Sequence, residues 1–379
     1  MDVGLYIHIP FCRRKCGYCD FVSQHIEPDL AEAFVHALLR ELHTTFDPST
    51  MRIVTVFIGG GTPTILPMDL LHRLLAGLVE WVRPDTHVEF TMEANPETVQ
   101  ETTIELLRVS GVNRLSLGVQ SFHQTELEVL NRGHHPEDVI RSVSLARGAG
   151  MPHCNLDLIF GIPGQSLSTW QDNLRQAMGL NPDHLSCYGL TYEPGTNLHR
   201  QRESGAVRPV AEEVEAEMYL AAIDQLTEAG FARYEISNFA RPEAQCLHNL
   251  RYWHQEPVIG LGPSAAGYLQ GHRWKNVTDL REYIRMLNRN ERPVMDVECL
   301  PPFRRAGELA MLMLRTAKGI NRREFEEKTG FDPLCLFADI TKQHQQVGLL
   351  DVSPDGICLT REGLLLADTV LADFMLIED

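Results

Sequence analysis

Tyr6-Ile7-His8-Ile9-Pro10-Phe11-Cys12-Arg13-Arg14-Lys15-Cys16-Gly17-Tyr18-Cys19 begins as an apolar run and breaks into three cysteines within eight residues. The run Gly4 to Ile9 reads as a strand, and the same figure recurs through the first 190 residues. Ile53 to Ile58 runs into Gly59-Gly60-Gly61-Thr62-Pro63, and Val88 to Met92 into Glu93-Ala94-Asn95-Pro96. Leu115 to Val119 ends at Gln120-Ser121. Asn155 to Phe160 contains Asp157 and ends at Gly161-Ile162-Pro163-Gly164, and Leu185 to Tyr188 is the sixth run. Amphipathic segments lie between them: Asp29 to Thr44, Pro67 to Trp81, Thr98 to Val109, Glu137 to Ala149 and Leu167 to Met178. Strand, helix and strand in alternation mean βα crossovers and a parallel sheet. The near-continuous apolar character of the strands suits a sheet covered by helices. In such α/β architectures the carboxyl ends of the strands open on one face, where ligand sites are built, and five unusual clusters fall there. Six repeats are too few for a closed eight-stranded barrel. They suit an open, partly wound barrel or a doubly wound sheet.

From about Val210 the pattern changes. A long amphipathic helix, Val210 to Ala229, leads to Tyr234-Glu235-Ile236-Ser237-Asn238-Phe239, then to a polar, aromatic stretch with Cys246, His248-Asn249 and Tyr252-Trp253-His254. Gly260-Leu261-Gly262 reads as a tight turn. Helices over Arg304 to Arg315, Asn321 to Thr329 and Phe337 to Val347, then a hairpin turning at Ser353 to Gly356 and a final helix, resemble a winged-helix module. Pro301-Pro302 is the linker candidate. The expected units are residues 1–230, 231–300 and 301–379.

The chain has 379 residues with 34 basic and 51 acidic side chains, a net charge of −17, which speaks against a nucleic-acid-wrapping surface. Nine cysteines, three clustered and six scattered singly, are unlike a secreted disulfide scaffold. No basic-then-apolar leader is visible, and no run approaches the roughly 18 apolar residues of a membrane span, so a cytoplasmic address is expected.

Cys12-x3-Cys16-x2-Cys19 is the sharpest chemical signal. Three grouped thiolates suit a [4Fe–4S] cluster with one iron open to another ligand. The alternative is zinc, completed by His8 or a distant cysteine. The glycines after the second strand allow close backbone approach and expose N–H groups to a small ligand; without a phosphate-loop lysine they imply neither ATP nor a dinucleotide. A carboxylate such as Asp157 among Leu156, Leu158 and Ile159, or Glu93 at its strand end, needs a ligand or hydrogen-bond donors. The scattered Cys154, Cys187, Cys299, Cys335 and Cys358 read as small buried apolar side chains.

These motifs together resemble the radical S-adenosylmethionine (SAM) enzymes. Gly59-Gly60-Gly61-Thr62-Pro63-Thr64, Glu93-x-Asn95-Pro96, Gly118-Val119-Gln120-Ser121-Phe122, Asn131-Arg132-Gly133-His134 and Asp157 to Gly164 resemble the branch of oxygen-independent coproporphyrinogen III oxidases. Tyr234 to Phe239 and His248-Asn249-x-x-Tyr252-Trp253 extend the likeness, whose nearest form is the HemW-type haem chaperones. The resemblance implies an α/β fold: a partial (β/α)6 barrel with an α+β extension ending in the winged-helix-like domain. It implies that Cys12, Cys16 and Cys19 hold a [4Fe–4S] cluster. It further implies that Tyr6, Tyr18, Gly60, Gly61, Thr62, Glu93, Gln120, Arg132 and Asp157 line the SAM site. There one electron from the cluster would break the C5′–S bond and yield a 5′-deoxyadenosyl radical. Haem is the third implied cofactor, with His248 as axial ligand, His254 and Cys246 as further candidates, and Tyr252 and Trp253 packing on the macrocycle.

Two departures separate the chain from the oxidases. They carry a further cysteine two residues after the third ligand, where this chain has Phe21, and a long amino-terminal extension, whereas Cys12 is preceded here by eleven residues. The expected function is a haem chaperone that passes haem to acceptor proteins, respiratory enzymes among them, with a cluster-dependent homodimer and at most peripheral membrane contact. A working coproporphyrinogen III dehydrogenase and a structural zinc protein are the alternatives.

Overall fold

Leu5, Ile7, Val56, Ile58, Phe90, Met92, Leu115, Leu117, Leu156, Leu158 and Leu185 are wholly buried and occupy alternate strand positions. With side chains alternating across a sheet, this gives one uninterrupted apolar face. The computed structural model describes residues 1–82 and 88–375. β1 (Asp2–Ile9) is followed by a short parallel pair, β2 (Phe11–Cys12) and β3 (Gln24–His25), which closes the cysteine loop at its base. Five more parallel strands follow: β4 (Arg52–Gly60), β5 (Glu89–Ala94), β6 (Arg114–Gln120), β7 (His153–Phe160) and β8 (His184–Gly189). The crossovers are α1 (Pro28–Thr45), α2 (Met68–Val82), α3 (Glu101–Val109), α4 (Gln124–Val129) with α5 (Pro136–Gly148), and α6 (Leu167–Gly179). After β8 come α7 (Asn197–Glu203) and α8 (Glu212–Glu228). All six expected strands and the helices between them are present.

The strands are not apolar on both faces. Against the buried outer face, the inner face carries Thr55; Glu89, Thr91 and Glu93; Arg114 and Ser116; Asn155 and Asp157; and His184 and Ser186. The expected near-continuous apolar strands are therefore alternating strands, with helices outside and a polar interior.

Residues 231–300 supply both edges of this sheet. β9 (Ala232–Arg233) and β10 (Asn238–Ala240) run antiparallel beyond β8. β11 (Val258–Leu261) adds a seventh parallel strand beside β1, and β12 (Ala266–Leu269), β13 (His272–Asn276) and β14 (Val294–Cys299) extend it antiparallel. Of the Gly260-Leu261-Gly262 stretch, Gly260 and Leu261 end β11, and the turn follows from Gly262 to Ser264. A Cβ at Gly260 would lie 2.2 Å from the Ala266 carbonyl, and Gly262, at φ +97°, donates its N–H to Glu41 of α1 at 2.8 Å. The sheet stays open, with β9 and β14 as its edges: an α/β partial barrel.

Between β10 and β11, α9 (Leu247–Trp253) carries the His-Asn-x-x-Tyr-Trp motif. Arg251 donates to the carbonyls of Asp2 and Pro257, which sets α9 across the amino-terminal end of β1. α10 (Leu280–Asn288) packs on α1. The carboxyl-terminal unit begins with α11 (Pro302–Leu314) and contains β15 (Ile320–Asn321), α12 (Arg322–Thr329), α13 (Pro333–Leu336) and α14 (Ala338–Gln346). The hairpin β16 (Leu350–Ser353) and β17 (Gly356–Leu359), then α15 (Arg361–Leu365) and α16 (Ala367–Met375), complete the winged-helix-like arrangement. Residues 376–379 of the expected third unit lie outside the described residues.

Candidate functional site

The inner face of the barrel bounds a cavity of about 490 Å³ that opens at the carboxyl ends of the strands. Cys12, Cys16, Cys19, Tyr18, Gly60, Gly61, Thr62, Glu93, Gln120, Arg132 and Asp157 all line it. Eleven residues spread over 146 positions of sequence thus meet in one chamber. Tyr6 is the exception. It stands beside the chamber, with its hydroxyl 3.0 Å from His8 Nδ1 and its ring against Phe57 and His248.

The cysteine loop is anchored rather than free. Gly17 donates to the Leu130 carbonyl at 2.9 Å, and Tyr18 packs beside Leu130 and Ile162. Donors reach the sulfurs, among them Thr62 Oγ1, 3.7 Å from Cys12 Sγ, and Arg132 Nη1, 3.3 Å from Cys16 Sγ; the Ser23 side chain also bonds Cys12 and the Phe21 backbone Cys19. Burial raises the Cys12 thiol pKa and pushes Cys19 up to about 11, so these thiols call for a cation or metal to hold them as thiolates. Among the described residues no three His, Cys, Asp or Glu side chains converge as a single metal ion requires. Thiolates of a cubane sit on separate irons and need no common centre. The donor set therefore fits the cluster better than mononuclear zinc.

The glycine run works differently from the expectation. Gly60 donates its N–H to Glu93 Oε2 at 3.1 Å and Gly61 donates to the Ile9 carbonyl at 2.8 Å, so these donors are already engaged. A Cβ at Gly59 would meet the Glu93 carboxylate at 2.5 Å, and one at Gly60 would meet the His8 ring at 2.4 Å. Glycine is needed here so that protein groups can close on the backbone. Gly60 also has φ +100°.

Two carboxylates stand at the centre. Burial first, then the nearby Asp157, raises the Glu93 pKa to about 8. Burial also raises Asp157, opposed by bonds from Ser186, Asn155 and Ser116, with Asn155 Nδ2 at 2.8 Å and Ser116 Oγ at 3.2 Å. A pair in this state favours a cationic ligand, and the sulfonium of SAM is one. Arg132 spans the mouth from Cys16 to Asn95 Oδ1 at 2.7 Å and the Gly118 carbonyl at 2.5 Å, and Asn95 in turn donates to Thr62 at 3.0 Å. Gln120 ends β6 at φ +67°, an uncommon conformation that turns its chain toward the chamber.

Sequence reasoning missed the floor. Arg114, Asn155, His184, Ser186, Cys246 and Asn249 close the chamber from below. Glu89 holds this floor: its carboxylate accepts from Arg114 Nε at 3.2 Å and from the N–H groups of Leu247 and His248 at 3.0 and 2.8 Å. The available signal was the polar residue at every second position of each strand.

The residues expected at haem do not share one open face. His248 is 1 % exposed; its Nδ1 lies 2.9 Å from Thr55 Oγ1 and its Nε2 lies 3.3 Å from the Tyr252 hydroxyl. Burial lowers its pKa to about 3, so the ring is neutral. Trp253 lies under the Arg315 guanidinium, 5.2 Å away. His254 faces the carboxyl-terminal unit, with Nδ1 2.9 Å from Glu324 and its carbonyl accepting from Lys328 Nζ at 2.5 Å. His248 and His254 thus point to different surroundings, and the expectation that Tyr252 and Trp253 flank one macrocycle with them is not met in this arrangement. Cys246 is buried against Glu89, at 3.5 Å.

The chain matches the radical SAM superfamily profile over residues 6–177 and the HemN C-terminal domain profile over residues 300–366. The haem chaperone HemW of Bacillus subtilis is 35 % identical over 372 residues, covering 98 % of each chain. HemW of Escherichia coli is 41 % identical over 269 residues, 70 % of each chain. Coproporphyrinogen III oxidase (HemN) of Escherichia coli shares the fold, with a TM-score of 0.85 over 99 % of this chain and 90 % of its own at 24 % identity. Radical SAM family membership implies a [4Fe–4S] cluster and SAM, which agrees with the thiols and the paired carboxylates. The chain belongs to the HemW family of the radical SAM superfamily.

Proposed function

We propose that the protein is a haem chaperone: it binds haem and transfers it to acceptor proteins, on a scaffold that holds a [4Fe–4S] cluster and SAM. The observation that carries the reading is the placement of α9. Asn249 of the His-Asn-x-x-Tyr-Trp helix, with Cys246 just before it, forms part of the floor of the chamber, so the two ligands would meet at one element. In this reading Cys12, Cys16 and Cys19 hold the cluster, with Arg132 and Thr62 donating to its sulfurs. Glu93 and Asp157 supply negative charge for the sulfonium and ribose, and Gln120, Gly60, Gly61 and Tyr18 shape the walls. The bound cofactors would supply one-electron chemistry. The chain's own part is to bury and orient them. Acceptors among respiratory enzymes, a cluster-dependent homodimer and a cytoplasmic address belong to the same proposal; among the described residues no helix is long and apolar enough to cross a membrane.

Iron would take His248 through Nε2. That nitrogen has the longer bond, to a Tyr252 that is 38 % exposed, whereas Nδ1 holds the shorter bond to buried Thr55. A ligating imidazole uses its second nitrogen to fix its orientation, and Thr55 stands in that place. Haem titration followed at the Soret band tests this. His248→Ala should abolish near-stoichiometric uptake, Thr55→Val should weaken it about tenfold or more, and Tyr252→Phe, which removes a competitor, should tighten it several-fold. No uptake by the parent sinks the chaperone reading, and equal affinity in Thr55→Val and Tyr252→Phe sinks the Nε2 assignment.

A further inference from the structure

The floor of the chamber is saturated on one side and not on the other. On β7 and β8, Asn155 Nδ2 donates to Ser116 at 2.8 Å and to Ser186 at 3.1 Å. His184 lies 2.6 Å from Asn155 Oδ1 and 2.8 Å from the Tyr234 hydroxyl, so both its nitrogens are engaged. On β5 and β6, Thr91 and Arg114 are in-register neighbours on the inner face, 0 % and 2 % exposed, and both line the chamber. Neighbouring strands lie about 4.8 Å apart, so these two side chains stand side by side. Among the described residues Thr91 Oγ1 and Arg114 Nη1 have no hydrogen-bond partner. The rest of the guanidinium is fixed, Nε on Glu89 and Nη2 on the carbonyls of Ala244 and Gln245, and Glu89 is itself shared with the N–H groups of Leu247 and His248. Asn249, half-buried on α9, lines the same floor, and its carboxamide bonds to no described residue. Buried polar atoms are nearly always paired, so an unmatched guanidinium nitrogen and hydroxyl on adjacent strands, with a free carboxamide at the same floor, call for an acceptor. A carboxylate accepts at both oxygens and has no hydrogen to place, whereas a water must also find acceptors for two. One guanidinium balances one negative charge; the other basic residues lining the chamber, Arg14, Lys15 and Arg132, belong to its mouth. Glu93, two residues beyond Thr91, and Asp157 begin the acidic layer above, so the chamber has a negative upper half over a positive floor.

We propose that Thr91, Arg114 and Asn249 form a carboxylate subsite, at which a second ligand of the chamber, an organic acid, is held by its carboxylate beneath SAM. The carboxylate belongs to a haem side chain or to a small free acid, and it is held by hydrogen bonds and one charge pairing with no covalent step. The proposal rests on the SAM assignment above and not on iron ligation by His248. Asn249 then has a task of its own within the His-Asn-x-x-Tyr-Trp helix: it brings α9 to the ligand from the side opposite the strands.

The probe is propionate labelled with carbon-13 at its carboxyl, titrated into the cluster-loaded protein saturated with SAM and followed by NMR. The parent should bind it saturably. Thr91→Val keeps the shape of the side chain and leaves the Glu89–Arg114 pair alone; it and Asn249→Ala should each weaken binding about tenfold. Thermal melts separate a binding hydroxyl from a structural one. Without propionate Thr91→Val should melt at or above the parental temperature, because an unpaired buried group is removed, and it should lose the rise that propionate gives the parent. Haem titration at the Soret band identifies the source of the carboxylate. Competition by propionate, with weaker uptake of haem dimethyl ester than of haem, assigns it to haem; haem uptake indifferent to propionate assigns it to a free acid. A parent that takes up propionate but no haem keeps this subsite and loses the chaperone reading. Absence of saturable propionate binding, binding abolished by SAM, equal binding of chloride, or unchanged affinity in Thr91→Val would each overturn the subsite.

Discussion

Glu89→Gln should loosen the helix that carries the haem motif without touching either ligand site directly. The carboxylate and its Arg114 partner are only 7 % and 3 % exposed, so the pair is effectively desolvated. Neutralising one member of a buried pair costs about 3 to 5 kcal/mol, much of it from the charge left behind. Arg114 retains the carbonyls of Ala244 and Gln245 at 3.0 and 2.9 Å, which argues for the lower end. The amide also turns one acceptor into a donor that faces the N–H groups of Leu247 and His248. The loss therefore concentrates on the amino-terminal turn of α9, while Glu324 and Lys328 still hold its other end at His254. A local loss of about 3 kcal/mol raises the opening constant about 150-fold, since 1.36 kcal/mol is one decade. Amide hydrogen exchange at Leu250, whose N–H bonds to the Cys246 carbonyl, reads that opening directly. Acceleration of about 100-fold with α1 and α2 unchanged is expected. Less than fivefold would refute the assignment of Glu89 as the fastener of α9.

The remaining predictions concern the upper half of the chamber. The Glu93 pKa is raised from 4.5 to about 8 by folding, so the folded state binds the extra proton. Its contribution to stability is full below pH 4.5 and is lost as pH rises through 8. Denaturant titrations of the SAM-free protein should show a decline over that window, up to roughly 5 kcal/mol from 1.36 kcal/mol per unit, flattened in Glu93→Gln; a parallel profile in the variant would contradict it. SAM brings positive charge to the same carboxylate, so its affinity should rise between pH 6 and 8 as Glu93 gives up its proton, and calorimetry in two buffers should detect the released proton. Gly60→Ala combines a forbidden φ with a Cβ inside the His8 ring, and about 3 kcal/mol of destabilisation is expected from a thermal melt; an unchanged melting temperature would refute the close-approach argument. Arg132→Lys removes the fork that joins Cys16, Asn95 and Gly118, and SAM should bind about tenfold more weakly while the fold is kept, as circular dichroism and equilibrium dialysis would report.

The barrel and the upper rim were legible because strand ends punctuate the chain. Cysteines, glycines and carboxylates that follow an apolar run by one or two residues must share the carboxyl face of a parallel sheet, and the cavity lining bears this out from Cys12 to Asp157. The floor was not legible for two physical reasons. Glu89, Arg114, Asn155 and His184 sit inside strands, where each reads as an isolated polar interruption until the period-2 pattern is aligned across five strands. The contact of Glu89 with Leu247 spans 158 residues of sequence, and no local pattern encodes it. The same limit governs β11: Val258 to Leu261 is short and ends in glycines, so its local signals favour a turn, while pairing with β1 from Gly4 to Ile7 makes it a strand. His248 shows how far such reasoning reaches. A histidine beside aromatics reads as a ligand or as a bonded core residue, and here the ring is buried with both nitrogens engaged, by Thr55 and Tyr252. The Tyr252 bond is the one an iron at Nε2 would have to replace. Because Nδ1 and Nε2 differ in bond length and in the exposure of their partners, the structure ranks the two nitrogens, a distinction that residue identity alone does not contain.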